Sequence, residues 1–282
     1  VREATYLVYD VFTDTRFGGN QLAVFPDAAG LPEDRLQGIA REFNFSEVTF
    51  VYPPADPAHT ARVRIFTPTS EVPFAGHPTI GTAIALHDLG RGAQMVLELG
   101  VGPIGCTVGP QGAAFATPVP LQIFGEPPAA LVAEALGLPQ AAIRSDRHGP
   151  VQASLGLAFV LVELDSRAHL AQARPQTEAF RKGAALYPAG LDFAIFCYVR
   201  DGAQVEARMF APLDNVPEDP ATGSASATLA AYLARLPGGP QALSISQGVD
   251  MGRPSRISVS VGPAGVTVAG QAVRTMAGTL FL

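Results

Sequence analysis

Short β-branched and aromatic runs alternate along the chain with two stretches that are small and apolar nearly all round. Residues 6–12, 22–25, 47–52 and 61–67 read as strands. In the last, Arg62 and Arg64 alternate with Val63 and Ile65, the period of a half-buried strand. Leu31, Leu36, Ile39, Ala40 and Phe43 recur near one face and predict an amphipathic helix over 31–43. The stretch 79–89 has no polar face, which predicts a helix enclosed on all sides. Short strands follow to about Phe115, and the Pro-rich stretch 118–128 reads as a linker between domains. Beyond it the pattern predicts a helix at 129–136 and strands at 158–164, 193–199 and 205–210. A second small-residue helix at 223–235 and strands at 257–261, 266–268 and 279–282 complete the pattern.

The two halves repeat one another. Arg64-Ile65-Phe66-Thr67-Pro68, Val72-Pro73 and His77-Pro78-Thr79-Ile80-Gly81-Thr82-Ala83 have counterparts in the second half. These are Arg208-Met209-Phe210-Ala211-Pro212, Val216-Pro217 and Asp219-Pro220-Ala221-Thr222-Gly223-Ser224-Ala225. The offset is 144 residues for the first two blocks and 142 for the third. A duplication predicts two similar domains whose apolar helices begin at Gly- and hydroxyl-rich turns. Gly81-Thr82 and Gly223-Ser224 then suit the binding of an anion at the helix starts, or ordinary helix capping by Thr82 and Ser224.

Composition narrows the classes. The 282 residues include 29 glycines and 25 prolines, with 48% hydrophobic and only 16% charged positions. A full apolar fraction without low-complexity tracts excludes disorder and leaves a well-packed, turn-rich protein. A net charge of −6 argues against nucleic acid, which requires a basic stripe. Cys106 and Cys197 have neither disulfide-framework nor metal-ligand spacing and read as buried hydrophobes. Lys182 is the single lysine, and Arg181-Lys182 reads as a solvated face, so Schiff-base chemistry is set aside. No apolar run approaches a membrane span, and the start of the chain lacks a secretory signal pattern. A cytoplasmic protein is expected.

Three residues stand out chemically. Glu47 lies between Phe45 and Phe50, where low dielectric raises a carboxyl pKa toward the range of a general acid/base. The alternative is a glutamate on the solvent face of a strand. His77 and Asp219 hold equivalent places in the repeat and could fix a polar group of a substrate, or be a buried histidine and a turn residue. Asn20 follows Gly18-Gly19 and reads as a turn residue whose amide could line a cleft. The segment 248–254 reads as a tight turn.

Five pieces in order carry a resemblance. They are Asp10-Val11-Phe12-Thr13 with Gly19-Asn20 and Leu22-Ala23-Val24-Phe25, then Asn44-Phe45-Ser46-Glu47-Val48-Thr49-Phe50, then Phe74-Ala75-Gly76-His77-Pro78-Thr79. Glu218-Asp219-Pro220-Ala221-Thr222-Gly223-Ser224-Ala225 is the fourth, and Gln247-Gly248 with Met251-Gly252-Arg253-Pro254-Ser255 the fifth. Together they resemble the PhzF family of phenazine-biosynthesis isomerases and their relatives. The resemblance implies an α+β, diaminopimelate epimerase-like fold: two pseudo-symmetric domains, each a curled, mostly antiparallel sheet around a central helix. The expected domains are 1–118 with 270–282, and 119–269. It implies an active site in the inter-domain cleft with Glu47, His77 and Asp219 catalytic, and Asn20, Ser46, Gly76, Gly223 and Ser224 binding substrate. It also implies a homodimer with no cofactor or metal. The expected reaction is a proton shift along a small carboxylate such as trans-2,3-dihydro-3-hydroxyanthranilate. A non-catalytic binding protein and an epimerase or racemase of amino-acid-like acids are the alternatives. The racemase relatives carry two cysteines at the positions of His77 and Asp219, which disfavours that reaction here.

Overall fold

The computed structural model describes residues 3–189 and 193–282. The chain divides into two compact units, Val1–Thr117 with Thr267–Leu282, and Pro118–Val266.

The first unit contains β1 (Glu3–Val11), β2 (Asn20–Phe25), α1 (Leu36–Phe43), β3 (Glu47–Tyr52), β4 (Ala61–Phe66) and β5 (Glu71–Val72). It continues with α2 (Gly76–Asp88), β6 (Gln94–Leu99), β7 (Gly102–Gly109) and β8 (Gly112–Thr117). The second contains β9 (Gln122–Gly125), α3 (Ala129–Leu136), β10 (Val151–Ser154), β11 (Ala158–Glu163), α4 (Arg167–Gln172) and α5 (Thr177–Leu186). After these come β12 (Ile195–Asp201), β13 (Gln204–Ala211), β14 (Val216–Asp219), α6 (Gly223–Ala234), β15 (Ala242–Gln247) and β16 (Ser255–Gly262). The chain returns to the first unit along β17 (Gly265–Gly270) and ends in β18 (Ala272–Phe281), whose Phe281 lies opposite Glu3 on β1.

The strand ladders repeat. In the first unit the order β18–β1–β2–β3–β4–β6–β7 is joined by antiparallel, antiparallel, parallel, antiparallel, parallel and antiparallel pairings. In the second, β9–β10–β11–β12–β13–β15–β16 has the same six pairings in the same sequence. The short strands β5 and β14 attach antiparallel to β4 and β13. Two arginines make the duplication visible at atomic scale. Arg64 and Arg208 each grip a carboxylate with two nitrogens, Glu71 and Glu218 respectively. Each also lies over the phenylalanine two residues on, Phe66 and Phe210.

Each sheet is covered on both faces. Strand alternation sends Val48 and Phe50 toward α1 and Thr49 the other way, to Thr82 of α2 at 3.0 Å. In the second unit Ile195 and Cys197 pack with residues of α3, α4 and α5. The helices α2 and α6 are buried along nearly all their length, as the absence of a polar face requires.

Several expectations are corrected. The Pro-rich stretch 118–128 is not only a linker, because Gln122–Gly125 pairs with β10 as an edge strand, where proline on either side is tolerated. The first helix starts at Leu36, after a 3-10 turn over Glu33–Arg35. The last strand begins at Ala272 rather than 279. Gly81-Thr82 is not a helix start. α2 begins at Gly76, and Gly81 lies within it, where a Cβ would meet Leu22 Cδ2 at 2.6 Å and Val11 Cγ2 at 2.7 Å. That glycine serves close packing of helix on sheet. Arg181 and Lys182 are exposed on α5, on Glu178 and Glu134 respectively. No helix among the described residues is long and apolar enough to cross a membrane.

Candidate active site

In the first unit, four of the expected residues meet. Asn20 opens β2, Glu47 opens β3, and Leu22 of β2 lies opposite Glu47 in the parallel register. Alternation puts Glu47 on the same face as Thr49, the face toward α2. His77 stands in the first turn of α2 and is 4% exposed. Its Nε2 lies 3.3 Å from the carbonyl of Gln21, which can only accept, so Nε2 carries the proton. Burial pushes the imidazole pKa down to about 3, so the ring is neutral and Nδ1 bears a lone pair. Asn20 Nδ2 donates to that nitrogen at 3.4 Å, and Ser46 Oγ donates to Asn20 Oδ1 at 3.3 Å. Hydrogen bonds thus run one way, from Ser46 through Asn20 and His77 to Gln21. Glu47 Oε2 sits 3.3 Å from the same Nδ1. Its side chain is 17% exposed, so the carboxyl group is half-buried yet reachable.

The turn into this strand is built for Asn20. Phe17 N–H donates to Asp10 at 2.6 Å, and Gly19 has φ +59°, with Val11 O only 2.3 Å from where a Cβ would be. Only glycine fits there. At Gly76 the helix start has Ala75 as its N-cap and no side-chain cap, which leaves its first N–H groups to a ligand or solvent.

The second unit places Asp219 at the end of β14, opposite Met209 of β13, and it is 6% exposed. Asp219 accepts from Thr222 Oγ1 at 2.5 Å. Gly223 and Ser224 open α6, which also lacks a side-chain cap at its N-cap Thr222. In both helices the residue four beyond the N-cap returns a hydroxyl to the N-cap carbonyl, Thr79 to Ala75 and Ser226 to Thr222. Counted from the N-caps, His77 is two residues inside its helix and Asp219 three residues before its own. The difference arises because β14 pairs through Asp219, whereas β5 stops at Val72.

Gln247 and Ser255 were not expected at a site. Gln247 is fully buried and bonds the Asp219 carbonyl and Thr222, and Ser255 Oγ reaches the carbonyls of Pro220 and Gln247. Their motif, Gln247-Gly248 through Ser255, reads as a turn in sequence. Its contact with a loop some 25 residues upstream is tertiary. A groove of about 630 Å³ opens beside β4, lined by Arg62, Arg64, Glu71, Glu98 and neighbours. None of the expected site residues lines it.

The sequence profile of the phenazine biosynthesis-like PhzC-PhzF family matches residues 9–278. The chain belongs to that family. It is 39% identical to an uncharacterised isomerase of Mesorhizobium japonicum, covering 98% of both chains. It is also 39% identical to the trans-2,3-dihydro-3-hydroxyanthranilate isomerase of Pseudomonas aeruginosa, covering 93% of this chain and 92% of the other. The solved structure of a Bacillus anthracis PhzF-family protein superposes with a TM-score of 0.88 at 23% identity over the full length of both chains. The fold is therefore α+β and epimerase-like, and this PhzF-family chain is an isomerase.

Proposed function

We propose that this PhzF-family protein moves a proton along a small, amino-acid-like carboxylate of the trans-2,3-dihydro-3-hydroxyanthranilate kind, with Glu47 as the single acid/base. The observation that carries the reading is the 3.3 Å approach of Glu47 Oε2 to a histidine nitrogen without a proton. An ionised carboxylate gains nothing from a lone pair at that distance, whereas a carboxylic acid formed in turnover would share that lone pair with the Asn20 amide. His77 thus gives the proton taken from substrate a place to rest on Glu47 before it is returned to a second carbon. His77 itself stays neutral, so its part is to hold and orient that proton, and Asn20 and Ser46 fix the ring.

A single carboxyl group that removes and returns a proton on one face makes an allylic shift. Inversion requires a second acid on the opposite face. The two thiols are poor candidates for such a pair, since burial pushes both up to about 12. Asp219 accepts from an amine or hydroxyl of the substrate. The N–H groups at Gly76 and His77, and at Gly223 and Ser224, stabilise a carboxylate or the negative charge that develops as the proton leaves. The reaction in this reading requires no cofactor, because the proton passes only between Glu47 and substrate. A cytoplasmic homodimer belongs to the same proposal.

The test is proton NMR of the product formed from trans-2,3-dihydro-3-hydroxyanthranilate in D2O. A displaced double bond with deuterium at the new sp³ carbon supports the reading. An unchanged skeleton with an inverted stereocentre would replace it by epimerisation.

A further inference from the structure

Two backbone groups settle which way the buried Gln247 amide points. Thr222 N–H donates to Gln247 Oε1 at 3.0 Å, and Gln247 Nε2 donates to the Asp219 carbonyl at 2.7 Å. An N–H can only donate and a carbonyl can only accept, so the reversed amide would break both bonds. The second hydrogen on Nε2 then points to Thr222 Oγ1 at 2.9 Å. With that donor on its oxygen, Thr222 directs its own single proton to Asp219 Oδ2. The chain Gln247 to Thr222 to Asp219 has one direction, and Asp219 is the acceptor at its end. The frame is closed from the other side by Ser255 and by Gly248, where a Cβ would lie 2.7 Å from Pro220 O. Nearby charges are already engaged: Glu218 on Arg208, and Asp250 on Arg167. Arg253 ties its backbone N–H to Gly248 O in the same turn.

We propose that Thr222 and Gln247 are positioning residues that hold Asp219 as an oriented, ionised acceptor for the polar group of the substrate. The inference rests on Asp219 being a substrate-binding residue. A hydroxyl donated to a carboxylate favours the charged form, so loss of that donor raises the pKa of the acid. Reversing the amide chemistry has the same effect. In Gln247→Glu the new carboxylate competes for the Thr222 proton and takes it from Asp219.

The experiment is a carbon-13 NMR titration of the full-length protein labelled at its aspartate carboxyl carbons, with the Asp219 signal assigned by its loss in Asp219→Asn. In Thr222→Val and in Gln247→Glu the Asp219 titration is expected to move up by about one pH unit or more. Thr222→Ser, which keeps the hydroxyl, should titrate as the parent does. Thr222→Ala serves if the valine variant does not fold. An Asp219 titration unmoved in Thr222→Val or Thr222→Ala overturns the inference while leaving Asp219 in the site. Parental kcat/KM of Asp219→Asn on trans-2,3-dihydro-3-hydroxyanthranilate would instead remove Asp219 from the site and overturn it from that side.

Discussion

Glu47 Oε2 stands 3.3 Å from Nδ1 of His77, the nitrogen of that ring that carries no proton. The pairing differs from an ion pair, because the imidazole is neutral and its Nδ1 lone pair also faces the Asn20 amide. The geometry depends on three local facts: the alternation of β3, the first turn of α2, and the Gln21 carbonyl that fixes the tautomer.

The neutral state of His77 has a stability signature. Its folded pKa is about 3, well below the ordinary value of 6.5 that the unfolded chain shows. Between those values the unfolded chain binds a proton that the folded chain does not. Stability is therefore full above pH 6.5 and falls as the pH drops, by up to about 1.4 kcal/mol per pH unit. His148, held down by burial as well, adds to the slope with the same sign. In His77→Gln, urea unfolding between pH 4.5 and 6.5 should show a shallower slope than the parent. An equal slope would mean that His77 is charged in the native state.

Two glycines in one turn should respond very differently to alanine. Gly248 has φ +73°, and a Cβ there meets Arg253 O at 2.4 Å and Pro220 O at 2.7 Å. Gly252 has φ +74° with nothing within 4 Å. Gly252→Ala should cost only the left-handed strain, about 1 kcal/mol. Gly248→Ala must also displace backbone and should cost on the order of 3 kcal/mol, with a loss of activity, since Pro220 follows Asp219 directly. Thermal unfolding of both variants checks the ranking.

The repeated arginines offer a second comparison. Arg208 is 4% exposed, grips Glu218 with two nitrogens and donates to the carbonyls of Leu170 and Ala173 at 2.9 Å. Arg64 holds Glu71 and Glu33 at a half-exposed surface. Arg208→Ala leaves Glu218 poorly solvated and should cost about 3–5 kcal/mol. Arg64→Ala should cost about 1 kcal/mol or less. Urea denaturation of the two variants under one buffer measures both.

Much of the fold was legible because its strands and helices are short and strongly patterned. The strand Glu47–Tyr52 and the helix Ala129–Leu136 match the sequence reading residue for residue. The repeat, visible as three blocks, corresponds to two ladders with the same pairings. What stayed hidden depends on partners distant in sequence. Nothing local marks Gln122–Gly125 as a strand, since its support is β10 and prolines flank it. β10, β15, α4 and α5 were likewise missed, their runs being short or of mixed polarity.

The site divides along the same line. Asn20, Ser46, Glu47 and His77 were legible as motif residues, and the fold joins them. The tautomer of His77 was not legible, because it is set by the backbone carbonyl of Gln21. Gln247 and Ser255 looked like ordinary turn residues. Their contacts with the Asp219 loop arise only where the turn after β15 meets the loop before α6.

The proposed proton shift turns on Glu47, and solvent exchange tests that role most directly. Parent and Glu47→Gln enzymes are incubated with trans-2,3-dihydro-3-hydroxyanthranilate in D2O, and deuterium entering the carbon skeleton is followed by NMR, with circular dichroism confirming that both are folded. The prediction is incorporation by the parent and a drop of at least about a thousandfold in the variant, the scale of losing an essential acid/base. Deuterium incorporation by a folded Glu47→Gln enzyme at the parental rate would contradict it.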